Sequence, residues 1–306
     1  MKTLFFTGKG GVGKSTLASA AAWQLADKGH RVLAVSFDPA HNLGDIFHEK
    51  LSHQKKRFKK TNLYLQETDL DKSAQEYLTR NMGLMEEIYN YTKAFNMDRY
   101  FKVLKYSPGV EEYAALTSLE NILTTEEENF DYIVFDTPPT GLTLRILALP
   151  QVSIGWLDRL IRIRADILNK RHTVQNITGK YGEKPFTVPY TEEDDTVMRK
   201  LREMRRRYQH VRDVLQGPDS TIAVVLNPDF LSLRESQRLF HGLLELELPL
   251  RVVFDNKVTE RNTENAERVE KELLDGRKDI AIERVSLLDQ TEPACYIMDT
   301  DITTHL

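Results

Sequence analysis

The 306-residue chain has one cysteine, Cys295. A lone thiol allows no intramolecular disulfide, which fits a reducing compartment, and it reads as a packing residue rather than a nucleophile. No run approaches the length of consecutive apolar residues that a transmembrane helix needs, so no integral membrane segment is expected. The opening Met1-Lys2-Thr3-Leu4-Phe5-Phe6 has the look of a signal n-region, but Gly8 and Lys9 end its apolar run too early. A cytoplasmic location is expected. Positive charge is not in excess either. Lys plus Arg is 42 against 46 Asp plus Glu, a net charge of −4 that leaves no overall footprint for nucleic acid, and no nucleic-acid partner is implied. Internal repeats and low-complexity tracts are absent. Two local clusters stand out, Lys50, Lys55, Lys56, Arg57, Lys59 and Lys60, and Arg199, Lys200, Arg202, Arg205, Arg206, Arg207 and Arg212. They fit solvated faces, or patches for an acidic partner or a membrane surface.

Against these absences stands Gly8-Lys9-Gly10-Gly11-Val12-Gly13-Lys14-Ser15-Thr16, placed where an apolar strand at residues 3–7 runs out. The glycines let backbone N–H groups wrap an anion, Lys14 brings a point charge to the β- and γ-phosphates, and the Ser15 hydroxyl can ligate Mg²⁺. Residues 17–26 are strong helix formers, so the loop opens a helix whose N-terminal dipole favours the same phosphates. A nucleotide triphosphate bound with Mg²⁺ is the expected ligand. Lys9 is a second lysine in a loop that ordinarily needs one.

Short apolar or β-branched runs at 3–7, 31–37, 62–67, 132–136, 221–227, 250–255 and 281–285 alternate with helical segments. That rhythm predicts an α/β fold, a mainly parallel sheet with helices on both faces, whose ligands sit at the carboxyl ends of the strands. Two regions, about 71–127 and 151–217, lack strand-like runs and carry helical spacing. They are read as an α-helical subdomain inserted into a single nucleotide-binding domain whose core covers about 1–70, 128–150 and 218–306. Long crossover helices packed on the sheet are the other reading. Between the two groups of helices, residues 174–195 contain Gly179, Gly182, Pro185 and Pro189 and are expected to be loop.

Two aspartates close strands beside the loop. Asp38 follows the strand at 31–37, where it can serve the Mg²⁺ shell or the attacking water, although a turn or helix cap explains Asp38-Pro39 as well. Asp136 ends the strand at 132–136, the arrangement of a Walker B carboxylate. Asn256 has an amide that can donate and accept, as the adenine edge demands, but a turn also suits it.

The run Gly8–Thr16 resembles the deviant phosphate loop shared by cell-division and plasmid-partition ATPases, the nitrogenase iron protein, and the arsenite-pump and tail-anchored-protein-targeting ATPases. The resemblance is closest to the last group. Asp38-Pro39-Ala40-His41-Asn42-Leu43-Gly44-Asp45 is similar to its first switch, and 136–149 (DTPPTGLTLRILAL) to its second, D-T-A-P-T-G-H-T-L-R-x-L. Pro138 and Leu142 depart from that pattern, Leu142 standing where the family has histidine. The segments at 227–238 and 251–258 are also similar, with Asp229 at the adenosine-contacting acidic place and Asn256 at the asparagine that reads adenine. The resemblance implies an ATPase that binds ATP and ADP as a nucleotide-sandwich homodimer. It makes Lys9 reach the partner's phosphates, Asp38 polarise the water and Asn42 help build the site; His41 reads as a residue positioning the loop by hydrogen bonds or, alternatively, as a switch base. Ser15, Asp38 and Asp136 would hold Mg²⁺.

Three roles compete. A switch ATPase would drive a client, protein or membrane system, held by the helical subdomain; a partition-type binding module would use hydrolysis only as a timer; a metal-insertion or electron-transfer ATPase needs cysteines this chain lacks. The acidic ending 299–306 is unlike the basic amphipathic helix of membrane-positioning proteins. Arsenite would need clustered thiolates, and no CxxC is present for a zinc-clamped dimer. The arginine-dense stretch 197–215 has one apolar face, whereas Met82, Met85, Ile88, Tyr89, Tyr91, Phe95 and Met97 offer an adaptable apolar surface. The identity of the client is left open.

Overall fold

A computed structural model describes residues 1–40, 42–88, 107–178, 191–275, 277, 279–287 and 300–306. The chain runs β1 (Lys2–Gly8), α1 (Lys14–Asp27), β2 (Val32–Ser36), α2 (Asn42–Phe47), β3 (Lys56–Arg57), β4 (Leu63–Glu67), α3 (Leu70–Ile88) and α4 (Val110–Glu126). It continues through β5 (Tyr132–Asp136), α5 (Thr140–Thr178), α6 (Thr196–Gln216), β6 (Ser220–Leu226), α7 (Phe230–Glu245), β7 (Leu250–Val258), α8 (Thr263–Leu274) and β8 (Ala281–Ser286). The strands form one sheet in the order β3-β4-β2-β5-β1-β6-β7-β8, parallel except for the antiparallel β3–β4 edge.

Alternation along the strands splits the core in two. Leu4 and Phe6 of β1, Val134 of β5 and Phe254 of β7 pack against α1 and α2, together with Ile302 near the carboxyl end. Phe5, Phe135, Val224 and Val253 face the other way, onto α4, α5, α6, α7 and α8. Phe5 stacks on Phe135 with ring centroids 4.6 Å apart. Helices therefore cover both faces of a mainly parallel sheet, as residues buried on both sides require. Buried Ala18, Ala20, Ala21 and Ala22 let α1 lie close beneath the strands.

All seven expected strands are present with ends within a few residues of expectation, and β7 runs on to Val258 so that Asn256 belongs to a strand. The short β3 was not expected: Lys56 and Arg57 are exposed and lie in the basic cluster, without an apolar pattern to mark them. The loop expected at 174–195 starts late. α5 continues through Thr178 because residues 171–178 contain neither glycine nor proline, and the breakers Gly179, Gly182, Pro185 and Pro189 lie outside the described residues.

α5 also runs unbroken across residues 150 and 151, with Pro150 inside it. Proline there removes one i→i−4 hydrogen bond. After the undescribed segment, α6 is started by Asp195, which is buried, accepts from the Met198 N–H at 2.6 Å and receives the Arg164 guanidinium through two bonds of 3.1 and 2.6 Å. Hydrogen bonds to the charged form hold the Asp195 carboxyl below its ordinary range against the opposing effect of burial.

Many cations of the basic clusters meet acids on neighbouring elements. Lys55 pairs with Glu126 at 2.5 Å, Lys56 with Glu49 at 2.7 Å, Arg205 with Asp158 at 2.5 Å and Arg207 with Glu120 at 3.5 Å. The exposed pairs among these add little stability, but all four occupy these charges within the chain. Among the described residues no helix is long and apolar enough to cross a membrane.

Candidate active site

The phosphate loop lies at the carboxyl end of β1, between β5 and β6, and two of its glycines are dictated by space. A Cβ on Gly8, whose φ is +156°, would lie 2.1 Å from the Val225 carbonyl oxygen of β6. A Cβ on Gly13, with φ +99°, would lie 2.3 Å from Asn256 Nδ2. Gly13 is the residue before α1, so the loop enters the helix through a left-handed position that glycine takes most easily. Lys14 is buried and donates from Nζ to the Lys9 carbonyl at 3.3 Å. Val12 is buried beneath the loop, while Lys9, Ser15 and Thr16 are half-buried and Gly10 and Gly11 exposed.

Strand order brings the two aspartates together. β2 and β5 are neighbours in register, with Ser36 opposite Asp136, and the Phe37 N–H donates to the Asp136 carbonyl at 2.9 Å. Asp136 is 1% exposed. Its Oδ2 accepts from the Ser36 hydroxyl at 3.2 Å, whereas Oδ1 is buried without a hydrogen-bond partner. Burial pushes the Asp136 carboxyl up to about 6; the Asp38 charge adds to the rise, while the Ser15 and Ser36 hydroxyls and the Lys14 ammonium oppose it. Asp38 is half-buried, its Oδ1 accepts from the Ala40 N–H at 3.0 Å, and its own N–H donates to Ser36 Oγ at 3.2 Å.

The orphaned Asp136 oxygen fits a bound cation. A carboxylate removed from water leaves one acceptor unused, and the Ser15 hydroxyl and Asp38 are near enough to influence its protonation. Among the described residues no cluster of three or more His, Cys, Asp or Glu side chains could hold a metal. Mg²⁺ suits such a sparse set, since it binds through one or two carboxylates and completes its shell with substrate phosphates and water.

Asn42 opens α2 within the segment 38–45, and Gly44 in that helix donates its N–H to Glu67 Oε1 at 2.8 Å. His41 lies outside the described residues, as does Cys295. In the second switch the Thr137 hydroxyl donates to the Phe6 carbonyl at 2.8 Å, and Leu142 packs on the hydrophobic core. Asp229 caps α7, accepting from the Ser232 N–H at 2.8 Å. Asn256 is 7% exposed and donates from Nδ2 to the Val12 carbonyl at 2.7 Å, a tie to the phosphate loop that the sequence did not suggest.

Four contributors escaped the sequence reading. Ser36 links both aspartates, Glu67 anchors α2, and Lys257 donates from Nζ to the Gly11 carbonyl at 2.7 Å. Asp255 is fully buried on β7 and neither oxygen has a hydrogen-bond partner. Glu67 ends its strand as Asp136 ends its own, and Asp255 interrupts an apolar run; both were visible signals. Ser36 and Lys257 had none.

Comparison with known proteins places this geometry. The profile of the anion-transporting ATPase (ArsA) family matches residues 1–291. A protein of Aquifex aeolicus that carries the provisional name arsenical pump-driving ATPase 2 is 29% identical over 280 residues, 92% of this chain and 86% of that one. The ATPase ASNA1 homolog 1 of Paramecium tetraurelia is 30% identical over 261 residues, 84% of this chain and 75% of its own. A provisionally named arsenical pump-driving ATPase of Halobacterium salinarum is 40% identical over 160 residues, 51% of this chain but 24% of that protein. A match over nearly the whole chain, to a family whose relatives are named for ATP hydrolysis, agrees with the buried lysine and paired aspartates around the glycine loop: the chain belongs to the anion-transporting ATPase family and is an ATPase.

Proposed function

We propose that the protein is a homodimeric switch in which Mg²⁺-ATP binding and hydrolysis open and close a helical client-binding subdomain. The carrying observation is α5: this 39-residue helix starts four residues after Asp136, so one rigid element joins the second switch to the helical region. Residues 71–127 and 151–217 then form that subdomain, and the crossing of α5 at 150–151 is its mechanical connection to the core.

In this reading Gly8, Lys9, Gly10, Gly11, Val12, Gly13, Lys14, Ser15 and Thr16 cradle the phosphates, with Lys14 as the principal cation. Asp38 orients the attacking water, and Lys9 neutralises the partner subunit's phosphates. Asn42, Asp229 and Asn256 contribute to nucleotide binding. Ser15, Asp38 and Asp136 serve the Mg²⁺ ion, which when bound neutralises charge developing on the transferred phosphoryl group.

The client is a protein or a membrane system. Val152, Trp156, Leu160, Ile163 and Ile167 form an exposed apolar stripe on α5, which suits an apolar client better than an oxyanion. Relatives bear arsenical-pump names, but arsenite would need several thiolates and this chain has one cysteine.

Trp156 is 63% exposed and makes the coupling measurable. In a Trp23→Phe background it is the one indole, since the chain has two tryptophans. ATP bound to the Asp38→Asn form is expected to produce a sedimenting dimer and to change iodide quenching of Trp156, whereas ADP does neither. Sedimentation and quenching indifferent to nucleotide would overturn the switch.

A further inference from the structure

Adjacent side chains of a regular strand point to opposite faces, yet Asn256 and Lys257 both reach the phosphate loop. The backbone explains how. Lys257 has φ +60°, a left-handed conformation unusual for a residue with a side chain, and the β7–β8 register shifts between Asn256 and Val258. The succeeding turn is fastened by Asn262, which donates from Nδ2 to the Lys257 carbonyl at 3.0 Å and accepts from the Thr259 N–H at 2.7 Å. Strain of this kind persists only where its surroundings over-determine it. Here it turns the Lys257 ammonium back onto Gly11.

Peptide geometry carries the effect into the loop. In a planar trans peptide the C=O and N–H point in opposite directions. Drawing the Gly11 carbonyl toward Lys257 therefore aims the Val12 N–H away from β7, and drawing the Val12 carbonyl toward Asn256 does the same for the Gly13 N–H. Successive N–H groups turned to one side make an anion-binding concavity. The fit is close, because a Cβ on Gly13 would meet the Asn256 amide.

We propose that Lys257 is a positioning residue for ATP hydrolysis: by holding the Gly11 carbonyl on the β7 side, it orients the loop's N–H donors toward the phosphates without touching them. The proposal rests on the reading that this loop binds the nucleotide. Lys257 thus acts through Gly11, in contrast to Lys14, whose charge is placed for the phosphates themselves. Since donor alignment matters most as charge develops on the phosphoryl oxygens, losing it should lower kcat more than it raises KM.

The experiment compares steady-state ATP hydrolysis by the full chain and by Lys257→Met, Lys257→Gln, Lys257→Arg and Lys14→Ala. Lys257→Met is expected to lose about tenfold or more in kcat, with KM changed by less than about threefold and a thermal midpoint within about 2 °C of the parent. Lys257→Arg, which keeps a cationic donor, should restore kcat to within about threefold of the parent, and Lys257→Gln should fall between. A Lys257→Met enzyme with parental kcat and KM would overturn the proposal, and so would an equal loss in Lys257→Arg. Lys14→Ala tests the underlying reading separately. If it binds ATP as the parent does, the assignment of the loop fails; if it loses ATP while Lys257→Met is parental, only the role of Lys257 fails.

Discussion

Ser36 and Asp136, 100 residues apart in sequence, are joined by a 3.2 Å hydrogen bond from the serine hydroxyl to the carboxylate. The same Ser36 oxygen accepts the Asp38 N–H. One hydroxyl at the end of β2 thereby fixes the backbone of the first switch relative to the carboxylate that opens the second.

In the proposed function the two aspartates have separable roles. Asp38→Asn should retain ATP affinity while hydrolysis falls about a hundredfold, the scale of a lost base or orienting group. Calorimetry with single-turnover assays measures both. Parental turnover in the variant would move the water-orienting role to Asp136.

Lys9 tests action between subunits. Two facing triphosphates repel unless a cation from each side neutralises them. Lys9→Ala should keep most single-site affinity and lose ATP-dependent closure and most turnover. In mixtures with Asp38→Asn subunits, the site on the Lys9→Ala chain keeps its own Asp38 and is served by the other chain's Lys9. Turnover should recover well above either parent homodimer. Heterodimers that form without recovery, or a Lys9→Ala monomer with normal hydrolysis, would refute it.

The loop's glycines are not equivalent. Gly8→Ala places a methyl against the Val225 carbonyl, so a stability loss of about 3 kcal/mol is expected from urea unfolding. A Cβ on Gly10 meets nothing within 4 Å, and Gly10→Ala should change stability by less than about 0.5 kcal/mol. Equal effects at the two positions would contradict the close approach of β1 to β6.

Asp255 predicts a pH signature. Burial pushes its carboxyl up to about 7; Glu270 and Asp229 add to the rise, and Arg284, held by Glu270 at 2.7 Å, opposes it. A carboxyl whose folded pKa lies above its unfolded value stabilises the fold below about pH 4, and that contribution is lost as pH rises through about 7. Asp255→Asn cannot ionise. The stability of Asp255→Asn minus that of the parent should therefore rise by about 4 kcal/mol from pH 4 to pH 8 in denaturant titrations. A difference independent of pH would show that Asp255 is ionised throughout.

The sequence by itself determined the phosphate loop, because consecutive glycines and a lysine between a strand and a helix specify that turn locally. It likewise determined the seven longer strands, whose apolar runs need burial on both faces, and the two aspartates that close β2 and β5. Which residue closes a strand is a local matter. Which strand ends meet is not: the placing of β5 between β1 and β2 puts Asp136 beside Asp38, and the placing of β7 outside β6 lets its end reach back to the loop. Asn256 and Lys257 lie 244 and 246 residues from the carbonyls they hold, and Lys257 points there only because the strand bulges at that residue. The unbroken course of α5 through Pro150 was also decided in three dimensions, where packing against neighbouring helices outweighs the single hydrogen bond that a proline removes.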